Sequence, residues 1–138
     1  METSFLHHVS LVSTDVARAT AFYRDKLGFR QIDRPPLKTK GAWLSSGSLE
    51  LHLIDNPRGT FRTTAVMDTG DVHFAMRVND FEAAMSELAS RGFREDAADG
   101  DPIRLYVNRK SHVGYPQAYL LDTDLHIIEI NAAKSVRE

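Results

Sequence analysis

One pattern occurs twice in this sequence, and the second copy begins 65 residues after the first. Residues His8–Asp15 and His73–Asp80 each start with histidine, alternate apolar side chains and reach aspartate seven positions later. In both copies a stretch with helical periodicity follows and ends in the same tripeptide, Gly-Phe-Arg, at 28–30 and 92–94. Because these features recur in register, we interpret the chain as two copies of one supersecondary unit.

Each copy predicts a module made of a strand, a helix and about three further strands. The alternation in the opening segments indicates half-buried strands. Asp15 and Asp80 are suited to cap the helices, which Gly28 and Gly92 are suited to end. The further strands are expected at 30–33, 41–45 and 48–54, and at 94–97, 103–109, 117–121 and 126–131. The pattern predicts an α+β fold in which a helix covers one face of each sheet.

Length and composition limit both the architecture and the function. The 138 residues fit one domain, with the modules at about 1–64 and 68–133. The net charge of −2 gives no basic surplus for nucleic acid, and no segment has the apolar length of a membrane helix or secretory signal. We therefore expect a cytoplasmic protein without nucleic-acid or membrane partners. Cysteine is absent, so the six histidines are the nitrogen donors available for a metal.

Strand parity separates polar side chains from apolar ones. His8 and His73 in the opening strands, and Glu50, His52 and Glu129 in later strands, lie opposite the apolar residues of their strands. Because the apolar face can pack on the helix, these groups are expected on the far side of each sheet, where curved sheets would form an open cavity. Imidazoles and carboxylates in such a set are typical of a catalytic metal site. The remaining histidines, expected as loop or surface residues, are His7, His112 and His126.

Two runs of residues together carry a resemblance to a known family. They are His8-Val9-Ser10-Leu11 with Asp15, Phe22-Tyr23 and Leu27-Gly28-Phe29, and Asp122, Asp124 and His126 with Ile128-Glu129-Ile130. The combination resembles the vicinal oxygen chelate superfamily, the group of glyoxalase I, bleomycin-resistance proteins and extradiol dioxygenases. The resemblance covers nearly the whole chain. It implies two tandem βαβββ modules that form an open, curved mixed-sheet cavity, with ligands of a divalent metal on the first and last strands of each module.

Carried onto this sequence, the resemblance implies metal ligands at His8, His73 and Glu129. The fourth position is either His52 or Glu50, and we take His52 because a Leu-His-Leu-Ile run before a proline is similar to glyoxalase-like members. The metal would be Zn, Ni, Co, Mn or Fe, and no other cofactor is implied. The turn at 122–125 departs from the family's Asp-Pro-Asp-Gly: a left-handed glycine is expected where Leu125 stands, so the turn should differ or carry strain.

The resemblance implies a metal-dependent lyase or isomerase of the lactoylglutathione lyase type, acting on a small oxygen-bearing substrate as a homodimer. The metal would stabilise an enediolate, and Glu129 would be the catalytic base, or Glu50 if that residue faces the metal.

Two alternatives to this lyase remain open. The first is a metal-free protein that sequesters a ligand between aromatic walls formed by Trp43, Tyr106, Tyr115 and Tyr119. The second, an Fe(II) extradiol dioxygenase, is less favoured because such enzymes usually have longer chains of repeated modules. The segment 109–112 has two interpretations as well, since it is either a loop that closes over an anionic substrate or a solvated hairpin tip.

Overall fold

The computed structural model describes residues 1–133 and divides the chain into two compact units. The first unit, Met1–Phe61, contains β1 (His8–Ser13), α1 (Val16–Leu27), β2 (Arg30–Ile32), β3 (Gly41–Ser46) and β4 (Leu49–Asp55). The second begins at Arg62 and contains β5 (His73–Val78), α2 (Phe81–Ser90), β6 (Tyr106–Asn108), β7 (Gln117–Leu121) and β8 (Ile127–Ala132). The predicted α+β fold of two βαβββ modules is confirmed. That both modules form a single domain stays a prediction.

The two units hold four-stranded mixed sheets with the same topology. The strand order is β1-β4-β3-β2 in the first sheet and β5-β8-β7-β6 in the second. The first and last strands of each module pair in parallel, and the other neighbours are antiparallel. As a result, the strands predicted to carry metal ligands lie side by side within each sheet, β1 beside β4 and β5 beside β8.

Both helices begin at the predicted aspartates. The Asp15 carboxylate accepts a hydrogen bond from the Arg18 backbone N–H at 3.0 Å, and the Asp80 carboxylate does the same for Ala83 at 3.0 Å. Gly28 ends α1 in the left-handed conformation, with φ of 73°. Neither these helices nor any other part of residues 1–133 forms a helix long and apolar enough to cross a membrane.

The larger part of the core of each unit lies on one face of its sheet. In the first unit, α1 packs against β2, β3 and β4, and the side chains of Leu44, Leu51 and Leu53 are buried. In the second unit, the buried side chains with the same parity include Leu120 and Ile128. Burial of each such side chain contributes about 1.5–3 kcal/mol. Because this face is apolar, the polar residues of alternate parity lie on the opposite face.

The segment 94–104 of the second unit differs from the prediction. The expected strand at 94–97 is a single bridge between Arg94 and Arg104, and the strand expected at 103–109 is limited to β6. The Asp99 carboxylate accepts from the Gly100 N–H, and the Asp101 carboxylate accepts from the Ile103 N–H. Side chains that bind nearby backbone groups compete with a strand ladder, which explains the turn at this place.

The hairpin between β7 and β8 contains the strain expected from its sequence. Leu125 has a φ of 68°, the left-handed region that favours glycine. The turn nevertheless keeps the form of a three-residue loop, because Leu125 N–H donates to the Asp122 carbonyl at 3.1 Å and Asp122 N–H donates to the His126 carbonyl at 3.0 Å. The Asp122 carboxylate accepts from the backbone N–H groups of Asp124 and His126, both at 2.9 Å.

Candidate functional site

The polar face of the first sheet is formed by β1, β3 and β4. The parallel register places His8 beside Glu50 and Ser10 beside His52, and the antiparallel register places Trp43 beside His52. Residues that are paired in this way point to the same side of a sheet. The structure thus brings His8 and His52 together, and it places both candidates for the fourth ligand, Glu50 and His52, on one face.

Three aromatic rings form a stack on this face, with His52 in the middle. The ring centroid of His52 lies 4.0 Å from that of His8, and the planes differ by 15°. On its other side the Trp43 ring lies 4.1 Å away and within 5° of parallel. His52 is only 7% exposed. Burial lowers the pKa of His52. The hydrogen bond to Glu50 raises this pKa in part, and the neighbouring His8 and His7 lower it further. The imidazole of His52 is therefore neutral at neutral pH.

Glu50 joins His52 to His7, a histidine that the sequence pattern predicts as a loop or surface residue. Glu50 Oε1 lies 3.3 Å from His52 Nε2, and its Oε2 lies 3.2 Å from His7 Nε2. His7 Nδ1 in turn lies 2.8 Å from His8 Nδ1. His7 is exposed, as expected, but its ring contacts the site. It precedes β1, so the parity of that strand gave no indication of its direction.

Glu129 is the centre of a hydrogen-bond network on the corresponding face of the second sheet. Its carboxylate is buried, with the residue 5% exposed. Oε1 accepts from the Tyr119 hydroxyl at 2.7 Å and from Gln117 Nε2, and Oε2 accepts from Asn131 Nδ2 at 2.9 Å. Ser111 Oγ donates to Gln117 Oε1 at 2.6 Å, so this loop residue also belongs to the network. Three donors thus converge on one carboxylate. An ionised carboxylate has only acceptor positions, so it can accept all three hydrogen bonds.

Tyr119 and Asn131 have fixed hydrogen-bonding roles in this network. Burial raises the pKa of Tyr119, and the hydrogen bond to Glu129 raises it further, so the phenol keeps its proton and donates. Asn131 accepts from Arg77 Nε at 2.9 Å through Oδ1, which directs its Nδ2 to Glu129. The sequence pattern predicts Tyr119 only as an aromatic wall, and it assigns no role to Gln117 or Asn131. Their parity with Glu129 on β7 and β8 was the available signal.

His73 lies on the same face as Glu129, on the neighbouring strand. Its ring is exposed and lies 5.6 Å from the Tyr119 ring in an edge arrangement. His73 Nδ1 is 2.8 Å from the Asp71 carbonyl oxygen. Because a carbonyl oxygen only accepts, Nδ1 carries the proton, and the lone pair of a neutral ring is on Nε2. Histidine ligands of metals commonly have their second nitrogen fixed in this way.

One end of this face is covered by the segment that precedes β5. Tyr119, Leu121 and Ile127 form a buried apolar cluster, against which Ala65, Met67 and Leu125 pack. Arg62 holds the segment in place: Nη2 donates to the Val66 carbonyl at 2.7 Å, Nη1 to the Leu125 carbonyl at 3.3 Å, and Nε lies 3.1 Å from the Asp71 carboxylate. The polar part of the face extends from this cluster toward Gln117 and Asn131.

His52 and Glu129 occupy corresponding positions in the two sheets. His52 lies beside Ser10, and Glu129 lies beside Ala75, which is 65 residues after Ser10. The correspondence extends to the antiparallel neighbours, since Trp43 is beside His52 and Tyr119 is beside Glu129. The residue that corresponds to Glu50 is Ile127, which cannot bind a metal. The repeated register therefore favours His52 over Glu50 as the counterpart of Glu129.

The donor set suits a divalent cation by its chemistry. The four predicted ligands, two from each unit, are three imidazoles and one carboxylate, which bind Zn, Fe, Ni, Co and Mn. A carboxylate has about four acceptor positions; the three donors to Glu129 leave one of them open. Within residues 1–133, the structure contains no group of three or more His, Asp or Glu side chains arranged so as to hold a metal ion.

Comparisons with known proteins agree with the fold. Residues 5–108 match the family described as Glyoxalase/Bleomycin resistance protein/Dioxygenase superfamily. The chain belongs to this superfamily. It is 29% identical over 102 residues to the protein YwkD of Bacillus subtilis, covering 71% of this chain and 80% of YwkD. Over 101 residues it is 28% identical to YaeR of Escherichia coli, covering 70% of this chain and 78% of YaeR.

Solved structures of superfamily members share the fold at lower identity. A glyoxalase family protein from Bacillus anthracis has a TM-score of 0.74 and 19% identity, over 97% of this chain and 98% of that one. Lactoylglutathione lyase from Agrobacterium tumefaciens has a TM-score of 0.68 and 18% identity, over 96% of both chains. A bleomycin-binding protein complexed with bleomycin has a TM-score of 0.68 and 22% identity, over 96% of this chain and 100% of that one. The superfamily thus contains both catalytic and ligand-binding proteins.

Proposed function

We propose that this superfamily member is a metal-dependent lyase or isomerase of the glyoxalase type, which acts on a small oxygen-bearing substrate. The observation that carries the proposal is the buried Glu129 carboxylate, held by three donors at the position that corresponds to His52. A buried charge is unfavourable unless it is hydrogen-bonded, and such arrangements are common where a carboxylate has a chemical role. The lactoylglutathione lyase of similar fold supports this choice.

The proposed ligands are His8, His52, His73 and Glu129. A divalent cation held by them would supply Lewis acidity toward adjacent oxygens of the substrate. Zn, Ni, Co, Mn and Fe all suit imidazole and carboxylate donors. A homodimer and a cytoplasmic location complete the proposal.

Glu129 is the proposed catalytic base. Its carboxylate takes a proton from the carbon next to a substrate carbonyl and returns it to the neighbouring carbon, which accomplishes an isomerisation. Tyr119 and Asn131 hold the two carboxylate oxygens in fixed directions, and Gln117 supplies a second donor to Oε1. Fixed hydrogen bonds of this kind reduce the reorganisation needed when a proton is transferred.

The test is metal analysis of the purified protein, followed by turnover of the hemithioacetal of methylglyoxal and glutathione before and after chelation. We expect stoichiometric metal, loss of turnover with EDTA and recovery on adding metal back. Glu129→Gln should abolish turnover, while Glu87→Gln, which removes an exposed carboxylate from α2, should not change it. Glu50→Gln should retain metal if His52 is the ligand. Turnover that persists after complete chelation would overturn the proposal.

A metal-free binding protein is the second candidate, because aromatic rings lie on the polar faces. Trp43 is stacked on His52, and Tyr106 and Tyr119 have ring centroids 6.2 Å apart. Flat rings of this kind can bind planar or cationic ligands. The bleomycin-binding protein of similar fold supports this alternative. Absence of stoichiometric metal, together with tight drug binding seen by the fluorescence of Trp43, the single tryptophan, would favour it.

A further inference from the structure

The fifth residue pair of the parallel strands, which is the third pair on the polar face, differs between the two sheets. In the first sheet Val12 lies beside Ile54, whereas the corresponding pair of the second sheet is Arg77 beside Asn131. Val12 is closely packed, since a Cβ atom on Gly59 would come within 2.6 Å of its Cγ1. The fold therefore accepts two apolar residues at this pair. A charged residue and an amide are not required there by the architecture.

Arg77 is held in one orientation but keeps unused donors. Its Nε donates to Asn131 Oδ1 at 2.9 Å, and its guanidinium carbon lies 4.7 Å from the centroid of the Tyr115 ring. A guanidinium has five N–H donors, of which this hydrogen bond uses one. In the described part of the chain, no carboxylate and no second acceptor contacts Arg77. The side chain is exposed, so its two Nη groups are accessible to a ligand.

The other arginines placed around the second sheet are paired with carboxylates. Arg109 binds Glu82 and Glu95, Arg104 binds Asp99, and Arg62 binds Asp71. An arginine whose charge is already matched gains less from binding a further anion. Arg77 is the described arginine of this sheet that combines a rigid support with free Nη donors. In the segment 109–112, the charge of Arg109 is already matched by two glutamates, so this arginine is less suited than Arg77 to bind an anionic substrate.

We propose that Arg77 binds the carboxylate of a small anionic substrate whose reacting carbon lies at Glu129. The inference deepens the proposed function and rests on it, since it takes Glu129 as the base. Residues two apart on a strand are separated by about 7 Å. Asn131, which holds Arg77, is two residues from Glu129 on β8. Asn131 joins the two groups through hydrogen bonds of 2.9 Å to Arg77 Nε and to Glu129 Oε2, so a short acid with a carboxylate at one end and the reacting carbonyl at the other can contact both.

The chemistry of the two ends of the face agrees with this direction of binding. A planar guanidinium presents parallel N–H groups to a carboxylate and discriminates it from a neutral group. At the opposite end, Ala65, Met67 and Leu125 pack over the buried cluster of Tyr119, Leu121 and Ile127, so hydrocarbon, which does not stabilise a charge, covers that end of the face. The anionic end of a substrate is therefore directed toward Arg77.

The test compares two hydroxamates that differ only in their far end. Succinomonohydroxamate carries a carboxylate where butyrohydroxamate carries a methyl group, and both have the same pair of chelating oxygens. Their Kd values are measured by calorimetry on Zn²⁺-loaded and EDTA-treated protein. We expect the zinc-loaded protein to bind the succinyl compound about 10-fold more tightly, as one charge-assisted contact provides. Arg77→Gln should bring the ratio close to one, because only the succinyl compound has a group that Arg77 binds; any effect of the variant on Asn131 and Glu129 acts on both compounds and cancels in the ratio.

Arg94→Gln is the matched control, because it also removes one exposed arginine but one that is bound to Asp96. It should keep the wild-type ratio. A wild-type ratio near one, or a ratio that Arg77→Gln does not change, would overturn the proposal about Arg77. The metal function is judged separately, by whether butyrohydroxamate binding requires Zn²⁺. If butyrohydroxamate binds equally well without Zn²⁺, NMR of the metal-free protein tests the proposal about Arg77. Succinate should then shift the Arg77 Nε–Hε resonance, and the absence of a shift would reject the proposal.

Discussion

The indole of Trp43 lies flat on the imidazole of His52, with ring centroids 4.1 Å apart and planes 5° from parallel. Protonation of an imidazole in this position changes the electronic environment of the only tryptophan in the chain. The fluorescence of Trp43 is therefore a local report on the charge of His52. The neighbouring groups on the same face are Glu50, His7 and His8.

Lowering the pH should quench Trp43 fluorescence with a midpoint below 6.5, the ordinary pKa of histidine, because burial lowers the pKa of His52. The folded protein then binds fewer protons than the unfolded one as the pH falls below 6.5. The contribution of His52 to stability is complete above pH 6.5 and is lost as the pH falls through the folded pKa. Fluorescence titration and urea unfolding at several pH values measure both effects. His52→Gln should remove the titration, and its persistence in that variant would contradict the assignment.

Tyr119→Phe should reduce both turnover and stability. The variant keeps the buried ring but removes the 2.7 Å hydrogen bond to Glu129 Oε1. A hydrogen bond to a charged group contributes about 1.5–3 kcal/mol, so we expect a loss of that order in the free energy of unfolding. Turnover should fall by about 10-fold or more because Glu129 is less well positioned. Tyr106→Phe, at the exposed ring beside it, is the control. Equal effects of both variants would argue against a role for the Tyr119 hydroxyl.

Two variants of Leu125 separate backbone strain from packing. Both Leu125→Ala and Leu125→Gly remove the packing against the cluster of Tyr119, Leu121 and Ile127. Only the glycine variant also relieves the left-handed conformation, which costs a residue with a Cβ about 1–2 kcal/mol. We expect Leu125→Gly to unfold at higher urea concentration than Leu125→Ala, the reverse of the usual order. An alanine variant as stable as the glycine variant would show that this φ is not strained.

The pairing of Glu82 with Arg109 should give a small pH dependence of stability in acid. The hydrogen bond to Arg109 lowers the pKa of Glu82, so the folded form releases its proton more readily than the unfolded form. The stabilisation is present above the unfolded pKa and is lost as the pH falls through the folded pKa. Because both side chains are largely exposed, the contribution is at most about 1 kcal/mol. Arg109→Gln should remove this dependence in urea unfolding between pH 3 and 6, and Arg91→Gln should not.

Much of the fold follows from local patterns in the sequence. The repeat, the strand alternation and the capping aspartates were sufficient for the two βαβββ modules, because each depends on residues close together in the chain. The segment 94–104 was predicted incorrectly. There, Asp99 and Asp101 bind neighbouring backbone N–H groups, and a pattern of alternating hydrophobicity does not register this competition.

The candidate site was predictable in its faces but not in its contacts. Parity placed His8, His52, His73 and Glu129 on the correct sides of their strands, as the pairing register shows. It could not show that Glu129 is bound by Tyr119 and Gln117, because those contacts depend on the register between β7 and β8. Whether the four residues hold a metal stays a prediction.

The strained turn at Leu125 determines which side of the sheet Glu129 faces. A hairpin slipped by one residue would turn every side chain of β8 over, so that Ile128 and Ile130 would enter the polar network and Glu129 would face the apolar core. The Asp122 carboxylate, bound to two N–H groups of the turn, fixes the loop at the length that prevents this slip. Leu125 occupies an unfavourable conformation so that this length is kept. A chain that closed the hairpin one residue out of register would bury an unpaired carboxylate, which is unfavourable, so the turn acts against that register.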